Sequence, residues 1–340
     1  MKSSSRIAVV GVIAIILGTC AWIWMARGVA GSGARSIVIT AMLKDRDLNY
    51  SGTVVTSAAY GGKMIVTRAN LYHSGKRERI NYLEKSLHGA YMIDSGGTSY
   101  SCVPSMKKLV VSHGGELLTE REHIALLLLN YRMKLIGNTV IADRSAYEVS
   151  IIPRKPGRGS KKLWIDRERR VVLKSEDYSA DGRLRSRMEF MRIRFDQPTP
   201  DALFAAPVDA SFSRDEVCRR ESREELSKKL GIDVREPGYV PVGYKFDGYS
   251  LYNCPCNCGH VSAQLAYTDG LNSFSVFLVP AKVSCGMGGV CDVKPNDGNR
   301  CIMQDSRMAK LCKTRAADKS VVVVGDLSEN EIRTITESVR

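Results

Sequence analysis

Arg183-Leu184-Arg185-Ser186-Arg187-Met188-Glu189-Phe190-Met191-Arg192-Ile193-Arg194-Phe195 follows the turn pair Asp181-Gly182, and its reading decides the fold. Met188 and Phe190 alternate with charged neighbours, the period-2 signature of a strand with one buried face. Beyond them Met191, Ile193 and Phe195 place the apolar positions on the opposite parity. A β-bulge near Phe190–Met191 explains the switch, since one extra residue reverses the alternation.

The text on the N-terminal side is of the same kind. Trp164-Ile165-Asp166 and Val171-Val172-Leu173 are strand-like, and β text resumes from about Asn138. Tyr50 to about Val111 consists of short apolar stretches broken by Tyr60-Gly61-Gly62 and Ser95-Gly96-Gly97, glycine pairs suited to hairpins that need positive φ. Lys63–Asn70 and Lys108–Ser112 are rich in β-branched residues. One helix precedes this sheet and another interrupts it. One spans about Ser36 to Asp45. The other opens with a Thr119/Glu122 capping box and runs through His123-Ile124-Ala125-Leu126-Leu127-Leu128-Leu129. Its apolar residues lie nearly all round, which predicts a helix buried against the sheet or plugging it.

Pro198, Pro200 and Pro207 then interrupt the pattern, and Asp215 to Leu230 reads as a helix with Ser213 as N-cap and Gly231 at its end. A smaller domain begins near Pro237. It contains a hairpin at Tyr267-Thr268-Asp269-Gly270, whose return strand carries Phe274, Val276 and Leu278 on one face, and a strand Val321–Val324. Ser328-Glu329-Asn330-Glu331 opens a last helix with an Ile332, Ile335, Val339 stripe. The expected organisation is an anchor or signal with linker (1–35), a large β domain (36–212), a helical linker (213–236) and a smaller α+β domain with a cysteine-rich insertion (237–340).

Ile7 to Ala26 carries no charge, and twenty residues at about 1.5 Å each span roughly 30 Å, the hydrocarbon core of a bilayer. Lys2 and Arg6 precede it, which predicts a cytoplasmic N-terminus and an exported remainder held in the inner membrane. The alternatives are a signal cleaved after Ala30, giving a soluble periplasmic protein, and a lipoprotein modified at Cys20. Fifty Lys+Arg against 36 Asp+Glu give a net charge of +14, which favours an anionic partner. No zinc-finger spacing, RNP-like aromatic stretch or long basic helix points to nucleic acid.

Ten cysteines fit an oxidising compartment. Cys218, Cys254, Cys256, Cys258, Cys285, Cys291, Cys301 and Cys312 cluster in the last third as disulfide candidates, with 105 pairings open. Within Cys254-Pro255-Cys256-Asn257-Cys258-Gly259-His260, the alternative is zinc or copper(I) bound by Cys254, Cys256, Cys258 and His260. Arg154, Lys155, Arg158, Lys161 and Lys162 form a basic loop that is either solvated or in contact with a phosphate or acidic peptide. There is no His-Glu-x-x-His, Gly-x-Ser-x-Gly or phosphate-loop motif, so no catalytic residue and no cofactor is expected. Tyr50 and Trp164 read as core aromatics rather than ligand contacts.

Leu48-Asn49-Tyr50-Ser51-Gly52-Thr53, Arg77-Glu78-Arg79, Ile93-Asp94-Ser95-Gly96, Cys102-Val103-Pro104, Leu128-Leu129-Asn130-Tyr131-Arg132 and Leu163-Trp164-Ile165-Asp166-Arg167 resemble the N-terminal domain of the MucB/RseB family. Val240-Pro241-Val242-Gly243-Tyr244, Tyr267-Thr268-Asp269-Gly270-Leu271 and Val322-Val323-Val324-Gly325-Asp326 resemble its C-terminal domain. The resemblance implies an α+β fold, with a large open, curved antiparallel sheet (a half-barrel similar to LolA and LolB) wrapped on a helix, then a smaller α+β domain. It implies a non-catalytic periplasmic regulator that binds the periplasmic region of an RseA/MucA-like anti-sigma factor and senses lipid or lipoprotein. A lipid or lipoprotein carrier on the same sheet, or a metal or thiol-redox protein built on the cysteine cluster, are the competing readings. The apolar N-terminal run and the cysteine cluster depart from the family pattern.

Overall fold

The computed structural model describes residues 33–60, 63–87, 89–114, 117–207, 211–254, 259–281, 302–305, 310–315 and 318–339. The predicted anchor, Ile7 to Ala26, lies outside them. Among the described residues no helix is long and apolar enough to cross a membrane.

In chain order the elements are α1 (Ala34–Lys44), β1 (Asn49–Tyr60), β2 (Lys63–Ser74), β3 (Arg77–Tyr82), β4 (Tyr91–Asp94), β5 (Thr98–Val103), β6 (Lys108–His113) and α2 (Glu120–Asn130). There follow β7 (Tyr131–Ile141), β8 (Arg144–Pro153), β9 (Ser160–Asp166), β10 (Val172–Tyr178), β11 (Leu184–Phe195), β12 (Ser213–Arg220) and α3 (Arg223–Leu230). Last come β13 (Lys245–Asn253), β14 (Val261–Thr268), β15 (Ser273–Pro280), β16 (Ile302–Asp305), β17 (Lys310–Arg315), β18 (Lys319–Gly325) and α4 (Glu329–Ser338). The chain divides into two compact units. The second comprises Val111–Asn130, Lys155–Arg158 and the chain from Asp215, and the first comprises the rest.

The first unit is one large antiparallel sheet in the order β5-β4-β3-β2-β1-β11-β10-β9-β8-β7. Its twist curls it, so that β7 returns to contact β11 although three strands lie between them in the ladder order. Strands β5 and β7 share no ladder with each other among the described residues, and the sheet is open and curved. The predicted bulge is present: Thr53 pairs with Arg192 and Val54 with Phe190, leaving Met191 unpaired. Gly52 sits at this bulge because a Cβ there would overlap Arg192 O and the Phe190 ring. The Ser95-Gly96-Gly97 hairpin also forms, with φ of 74° at Gly96 and 135° at Gly97. Its core holds Tyr50, Val54, Leu71, Ile80, Met92 and Phe190.

The helix that packs on this sheet is α1, against β7 and β9. The expectation for the Thr119-capped helix is corrected here, since α2 belongs to the second unit. Leu127 is fully buried, and Asn130 Nδ2 donates to Gly243 O and Asp269 O, both at 2.8 Å. Leu129, apolar in sequence, is 68% exposed. The capping box identified the element; its packing partner is set by residues more than a hundred positions away.

The second unit is an antiparallel sheet in the order β12-β13-β14-β15-β18-β17-β16. Helix α3 packs on β13 and β14, and α4 on β17 and β18. Phe274, Val276 and Leu278 are all buried, as are Ile332, Ile335 and Val339 of the last helix. The helix predicted from Asp215 to Leu230 is shorter than expected, because residues 213–220 are strand β12, with Cys218 opposite Tyr252. The N-cap is Ser222, not Ser213: Ser222 Oγ accepts from Glu225 N, and the Glu225 carboxylate accepts from Ser222 N. That reciprocal pair starts the helix after Arg220 and frees 213–220 to join the sheet edge.

Candidate functional site

Strand alternation sends one set of side chains from β1, β3, β9 and β11 towards α1. Val54, Ile80, Leu163, Met188 and Phe190 form a wall, and Val38, Ala41 and Met42 of α1 form the facing cover. Between them is a mostly apolar cavity of about 1090 Å³, its open mouth included. The residues are apolar because each also serves the core of the curled sheet; the cavity is the volume that α1 and the sheet leave unfilled.

Three ionisable side chains, Asp45, Glu78 and Lys161, line this wall, each at most 7% exposed. Lys161 Nζ is 2.7 Å from Asp177 Oδ1, and Ser186 Oγ donates to Asp177 Oδ2 at 2.9 Å. Asp45 follows α1 directly. Tyr50 Oη donates to Asp45 Oδ1 at 3.1 Å, and His73 Nε2 is 3.0 Å from the Asp45 carbonyl oxygen. The Tyr50 and His73 rings stack at 4.5 Å with an interplanar angle of 14°. Burial pushes the Asp45 carboxyl above its ordinary range, opposed by His73 and by the Tyr50 hydroxyl. Tyr50, expected as core, is both core and cavity wall. Trp164, also expected as core, is 7% exposed, with Lys174 Nζ 4.0 Å from its ring.

The five cations of the basic loop have different environments. Arg154 and Lys155 are exposed. Arg158 is committed to Glu331 at 2.8 and 3.0 Å. Lys161 and Lys162 are consecutive in β9 and so point to opposite faces, Lys161 into the cavity and Lys162 over the Tyr178 ring at 5.9 Å.

Of the cysteine candidates, Cys256, Cys258, Cys285, Cys291 and Cys301 lie outside the described residues. Cys254 N donates to His260 O at 2.8 Å, closing the β13–β14 connection. Cys218 is a thiol, 3.8 Å from Gln264 Oε1, and burial pushes its pKa up. Cys312 is fully buried and disulfide-bonded, and Thr336 Oγ1 donates to its sulfur at 3.4 Å. Among the described residues no group of three or more His, Cys, Asp or Glu side chains is placed to hold a metal.

The sequence reading missed Asp45 and His73. They are 28 residues apart, and neither stands in a local motif. The only signal was an acid at the end of a predicted helix.

Comparison with known proteins places this sheet. The model of the MucB/RseB N-terminal domain matches residues 40–208, about half of the chain. Through those residues the chain belongs to the MucB/RseB family. The MucB/RseB domain thus contains the whole cavity wall contributed by the sheet and, within α1, its C-terminal part. The "Sigma factor AlgU regulatory protein MucB" of Pseudomonas aeruginosa is 23% identical over 210 residues, which are 62% of this chain and 60% of that relative. A crystal structure of MucB in complex with MucA(peri) superimposes with a TM-score of 0.61 at 20% identity, covering 90% of this chain and 97% of that one. A Pseudomonas aeruginosa MucA/MucB complex gives 0.60 at 19% identity, covering 89% and 96%. These likenesses establish the fold across nearly the whole chain.

Proposed function

We propose that this MucB/RseB protein is a non-catalytic periplasmic regulator of an envelope-stress sigma-factor pathway. It binds the periplasmic segment of a membrane-bound anti-sigma factor and senses a lipid, or the acyl part of a lipoprotein, in the cavity between α1 and the sheet. The observation that carries the reading is that cavity, since an apolar cleft in an open curled sheet suits an acyl chain. The partner is supported by the fold shared with MucB, which has been crystallised with MucA(peri). A net charge of +14 favours an acidic peptide or lipid phosphates. The apolar run Ile7 to Ala26 supports tethering to the inner membrane, with a cleaved signal as the alternative.

A tagged full chain isolated from cross-linked, detergent-solubilised membranes tests the reading. The expected result is co-recovery of an anti-sigma factor, together with an altered envelope-stress response when the gene is deleted. Recovery of no anti-sigma factor and an unchanged response overturn it. The same cavity also suits a lipid or lipoprotein carrier. A lipoprotein-trafficking defect on deletion, with the stress response unchanged, selects that reading instead.

A further inference from the structure

The turn 167–171 between β9 and β10 carries Arg167, Arg169 and Arg170, and the carboxylates beside it serve only one of them. Asp166 Oδ2 is 2.5 Å from Arg144 Nε, and Asp166 Oδ1 accepts from Glu168 N at 2.9 Å and Arg169 N at 2.6 Å. Glu168 lies 2.8 Å from Arg144 Nη2, and Arg169 Nη2 lies 2.5 Å from Asp196. Arg167 and Arg170 have no carboxylate partner among the described residues. Both turn instead to Tyr147 of β8, with their guanidinium carbons 5.1 and 5.0 Å from the centre of its ring. Hydrogen bonds from Arg167 and Arg170 hold the Tyr147 hydroxyl below its ordinary range.

The backbone holds the two arginines in place. Arg167 N donates to Ser145 O at 2.9 Å, Asp166 N to Val171 O at 2.8 Å and Arg170 N to Asp166 O at 3.1 Å. Arg167 is exposed and Arg170 and Tyr147 are half-buried, so the group is open to solvent, and none of the three lines the cavity under α1. Two cations that converge on one neutral phenol repel each other, and an anion seated between them removes that repulsion.

We infer that Arg167, Arg170 and Tyr147 form a binding site for a phosphate-class oxyanion, either a free phosphate ester or the phosphoryl group of a lipid headgroup. A carboxylate's two oxygens saturate one guanidinium fork, whereas the tetrahedral oxygens of a phosphate serve both. Tyr147 Oη accepts from the arginines and still has its own hydrogen to donate to the anion. The site is separate from the cavity, and its occupancy does not depend on what the cavity binds.

Calorimetric titration of the full chain in neutral detergent tests this in about 0.15 M sodium chloride, where distant surface charges are screened. The titrants are inorganic phosphate, glycerol 3-phosphate, acetate and mixed micelles containing phosphatidylglycerol. The wild type is expected to bind a phosphate titrant about tenfold more tightly than acetate, and Arg167→Gln/Arg170→Gln to lose at least about tenfold in that affinity. Arg167→Lys/Arg170→Lys keeps both charges without the forks and is expected to remain at least about threefold weaker than wild type. Lys63→Gln/Lys85→Gln removes the same charge from exposed positions elsewhere in the first unit and is expected to stay within about twofold. Arg167→Gln alone, at an exposed position, covers the case in which the double variant melts early, with an expected loss of about threefold. Tighter binding of the micelles than of glycerol 3-phosphate identifies a lipid headgroup as the ligand, and the reverse identifies free phosphate esters. Three results overturn the inference: no binding of any phosphate titrant or micelle, phosphate binding no tighter than acetate, or an equal loss in the Lys63/Lys85 variant.

Discussion

Arg158 donates twice to Glu331, Nη2 to Oε1 at 2.8 Å and Nη1 to Oε2 at 3.0 Å, and so ties the 155–158 segment to the last helix. Glu331 is at the same time the capping-box residue of α4, accepting from Ser328 N at 3.1 Å and Ser328 Oγ at 2.8 Å. The Arg158 guanidinium also lies 4.9 Å from the centre of the Tyr244 ring. One carboxylate therefore caps the helix and neutralises an arginine whose side chain is only 10% exposed.

Removing that arginine leaves a partly buried acid without its counter-ion. Breaking a fully buried pair costs about 3–5 kcal/mol; with Glu331 still 20% exposed, Arg158→Met is expected to destabilise the second unit by about 2 kcal/mol. Burial pushes the Glu331 carboxyl up, but the bonds from Arg158 and Ser328 outweigh it and hold the group below its ordinary value of 4.5. A depressed carboxyl contributes stability above its unfolded pKa and loses it as pH falls through the folded one. The Arg158→Met deficit should accordingly be full at neutral pH and shrink in acid. Urea midpoints across pH check both parts; a deficit that grows in acid contradicts the assignment.

Docking of α2 depends on two contacts. Gly270 adopts φ +90°, and a Cβ there would overlap Leu127 N and crowd Leu127 Cα and His123 O. Gly270→Ala thus combines backbone strain with a clash against helix backbone that cannot move aside, for an expected loss above about 2 kcal/mol. Asn130→Ala removes the donor to two carbonyls, for about 1–3 kcal/mol. Hydrogen exchange read by mass spectrometry should show faster exchange in 120–130 and 267–273 for both variants, with Gly270→Ala the more severe. Unchanged protection of α2 in Gly270→Ala would refute the packing described.

At the bulge the constraint is steric without any unusual φ. Gly52→Ala drives a methyl into Arg192 O and the Phe190 ring, and overpacking of this kind costs about 1–3 kcal/mol. Ser51→Ala, one residue away and half-buried, is expected to stay within about 0.5 kcal/mol of wild type. Guanidinium unfolding of the first unit, followed through the buried Trp164 in a chain whose Trp22 and Trp24 are replaced by Phe, compares them. Equal midpoints for the two variants would remove the close approach of β1 to β11 as a constraint.

Features encoded within a single element were legible in the sequence. The parity switch in Arg183–Phe195 located a bulge that leaves Met191 out of the ladder, and Ser328-x-x-Glu331 located the start of α4. Features encoded between elements were not. Strand β12, Ser-Arg-Asp-Glu-Val-Cys-Arg-Arg, has too few apolar residues to show alternation, and its pairing with β13 decides its conformation. The basic loop read as one cluster because spacing along the chain hides that β9 alternates, sending Lys161 and Lys162 to opposite faces. Asp45 and His73 meet only because β2 runs beside β1, and β1 starts just after α1.

The buried Asp45 gives the cavity a pH dependence of opposite sign to that of Glu331. Burial raises its carboxyl above the ordinary 3.8, against the opposing effects of His73 and Tyr50. The folded chain therefore holds this proton at pH values where the unfolded chain has released it. The contribution to stability is complete below the unfolded pKa and is lost as pH rises through the folded one. Asp45→Asn keeps the hydrogen bond from Tyr50 and does not titrate, so it escapes that loss. Its stability relative to wild type is expected to be lowest in acid, to increase from about pH 4 upward, and to level off once the folded carboxyl is ionised. Urea midpoints of the two proteins over that range give the curve directly. A relative stability that instead falls with rising pH would mean that attraction between an ionised Asp45 and a protonated His73 outweighs the cost of burying the charge.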